Sequence, residues 1–585
     1  MGLGVLEDRK LEHVPGTAYV LDDEARQHEE NSIIDPNLKY DRSGAHPIIL
    51  VPQPSDDPND PLNWPLWKRD LILFTLSLLS VIAASLSPLL AANTLTLALH
   101  FGRTFTDMAL LTGYHLLGVG VAGFLFVPSA RVWGKRHTFI IGTIFIIFSS
   151  AWGGASGSNY TSLLWARIFQ GIGLAPFEAL VNATVGDLYY VHERGKRMAL
   201  TNFAVFGGAF FTPVVVGRIT HALGWPWTFY FVAIFTGALL PVVLLFVPET
   251  AYPRDNSLET DTLLNDSTYK RQMDTLKATN EESDPVNTAT SKEMDVSGDT
   301  QRPSTADNDN PDKPLPSSDV QHLHTTAPSG SPTKQTLLQR LAPFNGRKTN
   351  DNYFKLLLRP FALFLHPGIL WACLIQGTLI GWTVFIGIVL AAIMLGPPLF
   401  FNEVQTGYMY TGAFIGAVVG FLLAGLLADS VPAFMTRRNR GVYEPEFRLI
   451  LVIPQLVLGC CGLYGFGITS DNTFRYGWFW PDFFFAFEVA GMVVGAVSSA
   501  LYIVDAHRNI AIEAFTCLLV FKNIFSFGLT WSGYNWLVEH GIKHIFIVLG
   551  SVQVAVCALT ILMYVFGKRN RSFFARHDIL KLTQL

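Results

Sequence analysis

The chain of 585 residues is 50% hydrophobic and 15% charged, with a net charge of -4. Soluble proteins carry about 25% charged residues, so this composition excludes an ordinary soluble enzyme, and the charge balance suggests no nucleic-acid partner. The apolar residues are also clumped, Leu71 to Ala92 holding no charge at all.

Residues 1–66 are rich in Asp, Glu, Pro and Asn and predict a largely disordered N-terminal tail. No cleavable leader is visible in them, so the first apolar run is expected to serve as its own signal anchor. Twelve such runs follow, at 71–92, 107–129, 138–156, 161–186, 199–219, 228–247, 366–394, 406–428, 449–469, 479–503, 510–535 and 542–566. Each is close to the ~20 residues that a helix needs to cross a bilayer. Six fall within 67–250 and six within 356–567, separated by a polar insert at 251–355 and followed by a tail at 568–585. The predicted fold is an all-α membrane protein of twelve transmembrane helices in two pseudo-symmetric six-helix bundles.

Lys and Arg gather on the cytoplasmic side of membrane proteins. Placing the N-terminus inside leaves the outer side only Arg103, Arg218, Arg475 and Lys543, a nearly fourfold imbalance. Both termini and the insert are therefore expected in the cytoplasm. The insert's Ser, Thr, Asp, Asn and Pro content reads as a disordered tether, with phosphorylation as the regulatory alternative. The cysteines (Cys373, Cys460, Cys461, Cys517 and Cys557) lie in apolar runs rather than loops and read as packing thiols.

Ionisable residues inside spans are costly and mark function by default. In span four, Arg167, Gly171, Glu178 and Asn182 fall on one helix face at about 100° per residue, with Gln170 beside them. Such a stripe suits a water-filled central cavity; the competing reading is a structural Arg bonded to backbone carbonyls. A carboxylate drawn out of water can load and release a proton near neutral pH, so Glu178 and Glu488 are the candidate carriers. Glu513 is read as snorkelling from the end of span eleven, and Lys522 points to the opposite face of that helix, so the two cannot pair. His115 is read as an ordinary hydrogen-bonded core histidine. Gly412, Gly416 and Gly420 form a small-residue stripe for close helix packing, expected to smooth contacts between the halves.

These residues resemble the major facilitator superfamily, and within it the twelve-span fungal drug:proton antiporters, over about 60–250 and 360–570. Asn63-Trp64-Pro65 is similar to the start of those transporters. Arg167-Ile168-Phe169-Gln170-Gly171-Ile172-Gly173 resembles the superfamily's Arg-x-x-Gln-Gly-x-Gly motif, which implies a proton-coupling role for Arg167. Asp187 to Arg197, including Arg194, resembles the acidic-to-basic loop after span four, and Pro248-Glu249-Thr250 the end of span six. In the loop after span two, Gly134, Lys135 and Arg136 fit the family's gating motif, but Val127, Arg131 and Val132 replace its Gly, Asp and Arg. A version in the second half runs from Gly425 and Asp429 to Arg437. The span-five antiporter motif is degenerate at Gly208, Thr212-Pro213 and Gly217, which weakens export specifically.

The resemblance implies alternating access about a cavity lined by spans one, four, seven and ten. Its expected polar lining is Asn93, Arg167, Gln170, Glu178, Asn182, Gln376, Thr378 and Glu488, with Phe177, Trp382 and Phe487 suited to a planar or cationic amphiphile. The expected function is proton-coupled transport of a small drug, toxin or metabolite, in the direction of export, by a monomer in the plasma or vacuolar membrane, the plasma membrane being preferred. An uptake permease for organic cations such as polyamines and a transporter-like sensor are the alternatives. No cofactor, metal or enzymatic activity is expected, and no phosphate-binding motif for ATP drive is present.

Overall fold

The computed structural model describes residues 4–8, 10–11, 14–19, 39–41, 48–50, 54–252, 336–439, 442–507, 510–577 and 580. In the first half the helices are α1 (Leu66–Ser85), α2 (Thr94–Phe101), α3 (Phe105–Trp133), α4 (Arg136–Gly154), α5 (Tyr160–Leu188), α6 (Val191–Leu223) and α7 (Pro226–Phe246). The short α8 (Leu337–Leu341) and α9 (Tyr353–Leu363) lead into α10 (Pro367–Leu395), α11 (Glu403–Tyr408), α12 (Tyr410–Arg438), α13 (Val452–Asp471), α14 (Thr473–Tyr476), α15 (Phe479–Ala506), α16 (Ala511–His540) and α17 (Ile542–Arg576). Among the described residues, eleven helical stretches are long and apolar enough to cross a membrane.

The first predicted span requires correction. Its helix, α1, carries Lys68-Arg69-Asp70 in its first two turns and stops at Ser85, and 86–93 runs as turns and bends into α2. Pro88 lacks an amide hydrogen and disfavours helical backbone in the residue before it, which favours a break at this point of the apolar run.

Each half closes on its own core. Ile72, Leu76, Leu111, Ile146, Leu163, Val185 and Phe229 fill the first, and Phe385, Val389, Phe466, Val493 and Phe546 the second. Ile234, Phe235, Leu422, Leu426 and Ile561 instead face outwards, each more than half exposed. A soluble monomer seldom shows so much apolar surface; a bilayer accommodates it.

The halves meet along two seams, α3 against α16 and α6 against α12. Gly120 and Gly123 of α3 face Ile524 and Leu519 of α16, and Phe211 packs on Phe414 in the second seam. The stripe Gly412, Gly416 and Gly420 lies elsewhere, which corrects the expectation that it smooths this boundary. It packs on α15 inside the second half, where a Cβ on Gly420 would sit 2.8 Å from Ala490 O.

Composition predicts disorder for residues 1–66, yet their described segments are packed, because the tail's acids find basic partners. Glu7 pairs with Lys568 at 2.9 Å, and strand β1 (Ala18–Tyr19) pairs antiparallel with the strand Val442–Tyr443. Residues 253–335 of the insert, including its proposed phosphorylation sites, lie outside the described residues.

Candidate functional site

A cavity of about 170 Å³ opens between the halves. Its walls come from the broken end of α1 (Ser87, Pro88), α3 (Thr112), α5 (Phe177, Glu178), α6 (Phe206, Phe210), α10 (Thr383), α12 (Tyr410), α15 (Phe485, Met492) and α16 (Lys522, Asn523, Ser526). Aromatic rings and aliphatic side chains make most of the surface.

One ion pair stands in that wall. Lys522 Nζ of the second half binds Glu178 Oε1 of the first, both side chains less than a fifth exposed. Asn523 Nδ2 reaches Glu178 Oε2 at 3.5 Å, at the edge of hydrogen-bonding distance. The two charged side chains of helix α16 therefore each pair away from the other: Glu513, nine residues before Lys522 in the sequence, binds Arg131 and lies 3.5 Å from Arg359. Glu513 is thus buried and paired, which corrects the snorkelling reading.

Arg167 is fully buried and does not face the cavity. Its guanidinium donates to Leu86 O at 2.8 Å and Ser87 O at 3.4 Å, the carbonyls freed where α1 unwinds, and to Leu111 O at 3.4 Å and Gln170 Oε1 at 2.8 Å. His115 lies 3.3 Å from both Ser87 Oγ and Arg167 O. The polar stripe of span four is accordingly split, Glu178 to the cavity and Arg167 to the break in α1.

Glu488 is also fully buried, one layer behind the wall. Thr383 Oγ1, which lines the cavity, stands 2.7 Å from Glu488 Oε1 and 2.9 Å from Leu379 O. Oε2 of Glu488 has no hydrogen-bond partner among the described residues.

Of the expected lining residues, Phe177 and Glu178 do line the cavity. The others are corrections, each making its contacts within its own half. Asn93 reaches Thr220 at 3.4 Å, Gln170 binds Ser150 at 3.0 Å, and Asn182 binds Asn202 and Thr201 at 3.1 and 2.8 Å. Gln376 meets Ser499 at 3.3 Å, Thr378 and Trp382 share Gln553 Oε1 at 2.8 and 3.0 Å, and Phe487 packs on Phe483. A buried polar group takes the nearest partner, and helix periodicity does not say which neighbour that is. Sequence reasoning missed Phe206, Phe210, Tyr410 and Phe485, which carry no polar signal, and noticed Lys522 without its partner.

At the Lys/Arg-rich end, Lys135 binds Asp187 at 2.6 Å, and the backbone amides of Lys135 and Arg136 donate to Glu249 at 2.9 and 3.1 Å. Gly134 adopts φ 96° there, a conformation open to glycine. The Arg136 guanidinium caps the end of α7 through Leu244 O at 2.8 Å. In the second half Asp429 and Arg437 are both exposed, and Asp429 lies 3.9 Å from Arg448. Arg448 also bonds Asp505, at 2.9 Å. The side chain of Arg194 lies outside the described residues.

Two helical bundles enclosing a cavity whose charged wall is shared between them have the architecture of a membrane transporter. Residues 73–516 match the Major Facilitator Superfamily, and the chain belongs to that family. It is similar to Protein HOL1 of Saccharomyces cerevisiae, 25% identical over 97% of this chain and 96% of that one. It is also similar to MFS transporter cpaT of Aspergillus oryzae (23%, covering 88% and 90%) and to the ascochitine biosynthesis cluster MFS transporter of Didymella fabae (23%, 88% and 87%). In fold it matches a crystal structure of a D-xylose-proton symporter with TM-score 0.54 at 14% identity, over 86% of this chain and 99% of that chain.

Proposed function

We propose that this fungal-type transporter couples proton movement to passage of a small organic molecule through the central cavity, in the direction of export across the plasma membrane. The observation that carries the reading is the Glu178–Lys522 pair, contributed by opposite halves and set in the cavity wall. Rocking of the halves about a midplane site must strain or break such a pair, and a proton on Glu178 removes its charge and releases Lys522.

Glu488 supports a second proton position. The single hydroxyl hydrogen of Thr383 has two acceptors in reach, Leu379 O and Glu488 Oε1. A protonated Glu488 donates to Thr383 and leaves that hydrogen to Leu379, whereas an ionised one claims it. Thr383 thereby links the state of Glu488 to the cavity surface. Export is supported by the similar Didymella protein, whose name places it in a biosynthesis cluster.

Flux in proteoliposomes under an imposed pH gradient tests the proposal. Drive by the gradient is expected in the wild type, and Glu178→Gln should flatten the pH dependence of transport. An unchanged pH profile in Glu178→Gln moves the proton to Glu488, and indifference to the gradient refutes coupling. Accumulation of labelled substrate by cells, in place of its loss, reverses the direction to uptake.

A further inference from the structure

We propose that Lys522 is a built-in competitor for a cationic substrate: its ammonium occupies Glu178 in the empty cavity, and an organic cation binds by taking that place. The inference rests on the transport reading above and adds the substrate class and the residue that selects it.

Among the residues lining the cavity, Glu178 and Lys522 are the charged ones. A ligand of either sign therefore meets a neutralised pair and must displace one member. The rest of the wall decides which. Phe177, Phe206, Phe210, Tyr410 and Phe485 all contribute to it, and ring faces attract cations, the more so in a desolvated site. An anion drawn to Lys522 gains nothing from those faces.

The remaining groups near the site do not change this. Arg167 is held by the carbonyls of Leu86, Ser87 and Leu111 and by Gln170. Glu488 stands behind Thr383. Glu178 itself is held by few partners, Lys522 on one oxygen and a 3.5 Å contact from Asn523 on the other, so the carboxylate can change cations without losing a large hydrogen-bond network. The volume of about 170 Å³ suits a small quaternary ammonium ion. The tethered ammonium sets a threshold: a weakly binding cation fails to displace it, and an uncharged molecule has no carboxylate to win.

The test is equilibrium binding of choline to the purified full-length protein, with no pH gradient, beside the uncharged tert-butyl analogue of choline. Lys522→Met removes the competitor and is expected to tighten choline binding about tenfold. Lys522→Arg keeps a cation with more donors to hold Glu178 and is expected to weaken it severalfold. Adding Glu178→Gln to Lys522→Met should abolish the gain, and the analogue should respond to none of these changes. A residue that merely supports the fold would shift both Lys522 variants the same way. That result, or equal binding by all the proteins, overturns the proposal. Because no gradient is applied, failure of proton coupling in the flux assay leaves this measurement readable.

Discussion

Arg167 shows how a buried charge can serve the shape of a cavity without touching what the cavity holds. It bonds the carbonyls of Leu86 and Ser87, groups left without helical partners where α1 ends. An unsatisfied buried polar group costs about 1–3 kcal/mol, so Arg167→Ala leaves several costs at once and loosens the wall formed by Ser87 and Pro88. The expected outcome is loss of coupled transport with the protein still delivered to the membrane, read as flux per surface-labelled molecule. Wild-type flux in that variant removes the assigned role. Its nearness to the candidate site was legible from the Arg-x-x-Gln-Gly-x-Gly resemblance; its partners were not, because they are backbone atoms of a helix break that no side chain advertises.

Helices supply the second scale. Gly416 and Gly425 sit in the same helix, α12, with opposite surroundings. A Cβ on Gly416 would strike the Ala486 backbone, whereas one on Gly425 meets nothing within 4 Å. Gly416→Leu should therefore destabilise the protein by about 1–3 kcal/mol, the usual range for overpacking, and Gly425→Leu should leave the melting temperature in detergent unchanged. The start of α10 carries a pH-sensitive cap. His366 Nδ1 accepts from the Gly368 amide at 3.2 Å, which requires an unprotonated ring nitrogen, and burial holds the His366 pKa down to about 4. The unfolded chain, with a pKa near 6.5, binds the proton first, so this contribution is present above about pH 6.5 and is lost as pH falls towards 4. His366→Asn keeps a capping acceptor without a titrating group, and should narrow the difference in melting temperature between pH 7 and pH 5.

For the whole molecule, α16 faces the first half through two ion pairs of opposite polarity, one with α3 and one with α5. Near the Lys/Arg-rich end the first half offers Arg131 and the second Glu513; in the cavity the first half offers Glu178 and the second Lys522. Sliding or tilting one half against the other disturbs both together. Glu513 does not line the cavity, so Glu513→Gln should lower kcat severalfold and leave KM within about twofold, as initial-rate kinetics would show. An altered KM with normal kcat would place Glu513 in the binding site instead. Arg131 stands where the family's loop carries an Asp, so the sequence of that loop offers no acid at this position. The structure places a reversed ion pair there, its acid supplied by the other half.

What the sequence by itself determined is the solvent of each segment. Hydrocarbon penalises every uncovered charge locally, so spans, their division into halves and the basic asymmetry of the loops are written in runs of about twenty residues. Partner choice is not local. Glu178 and Lys522 lie 344 positions apart, and whether either faces lipid, its own bundle or the opposite one depends on how two cores pack. Only the tertiary structure could put that pair in one cavity wall, turn Asn182, Gln376 and Trp382 away from it, and end α1 where its freed carbonyls meet a guanidinium.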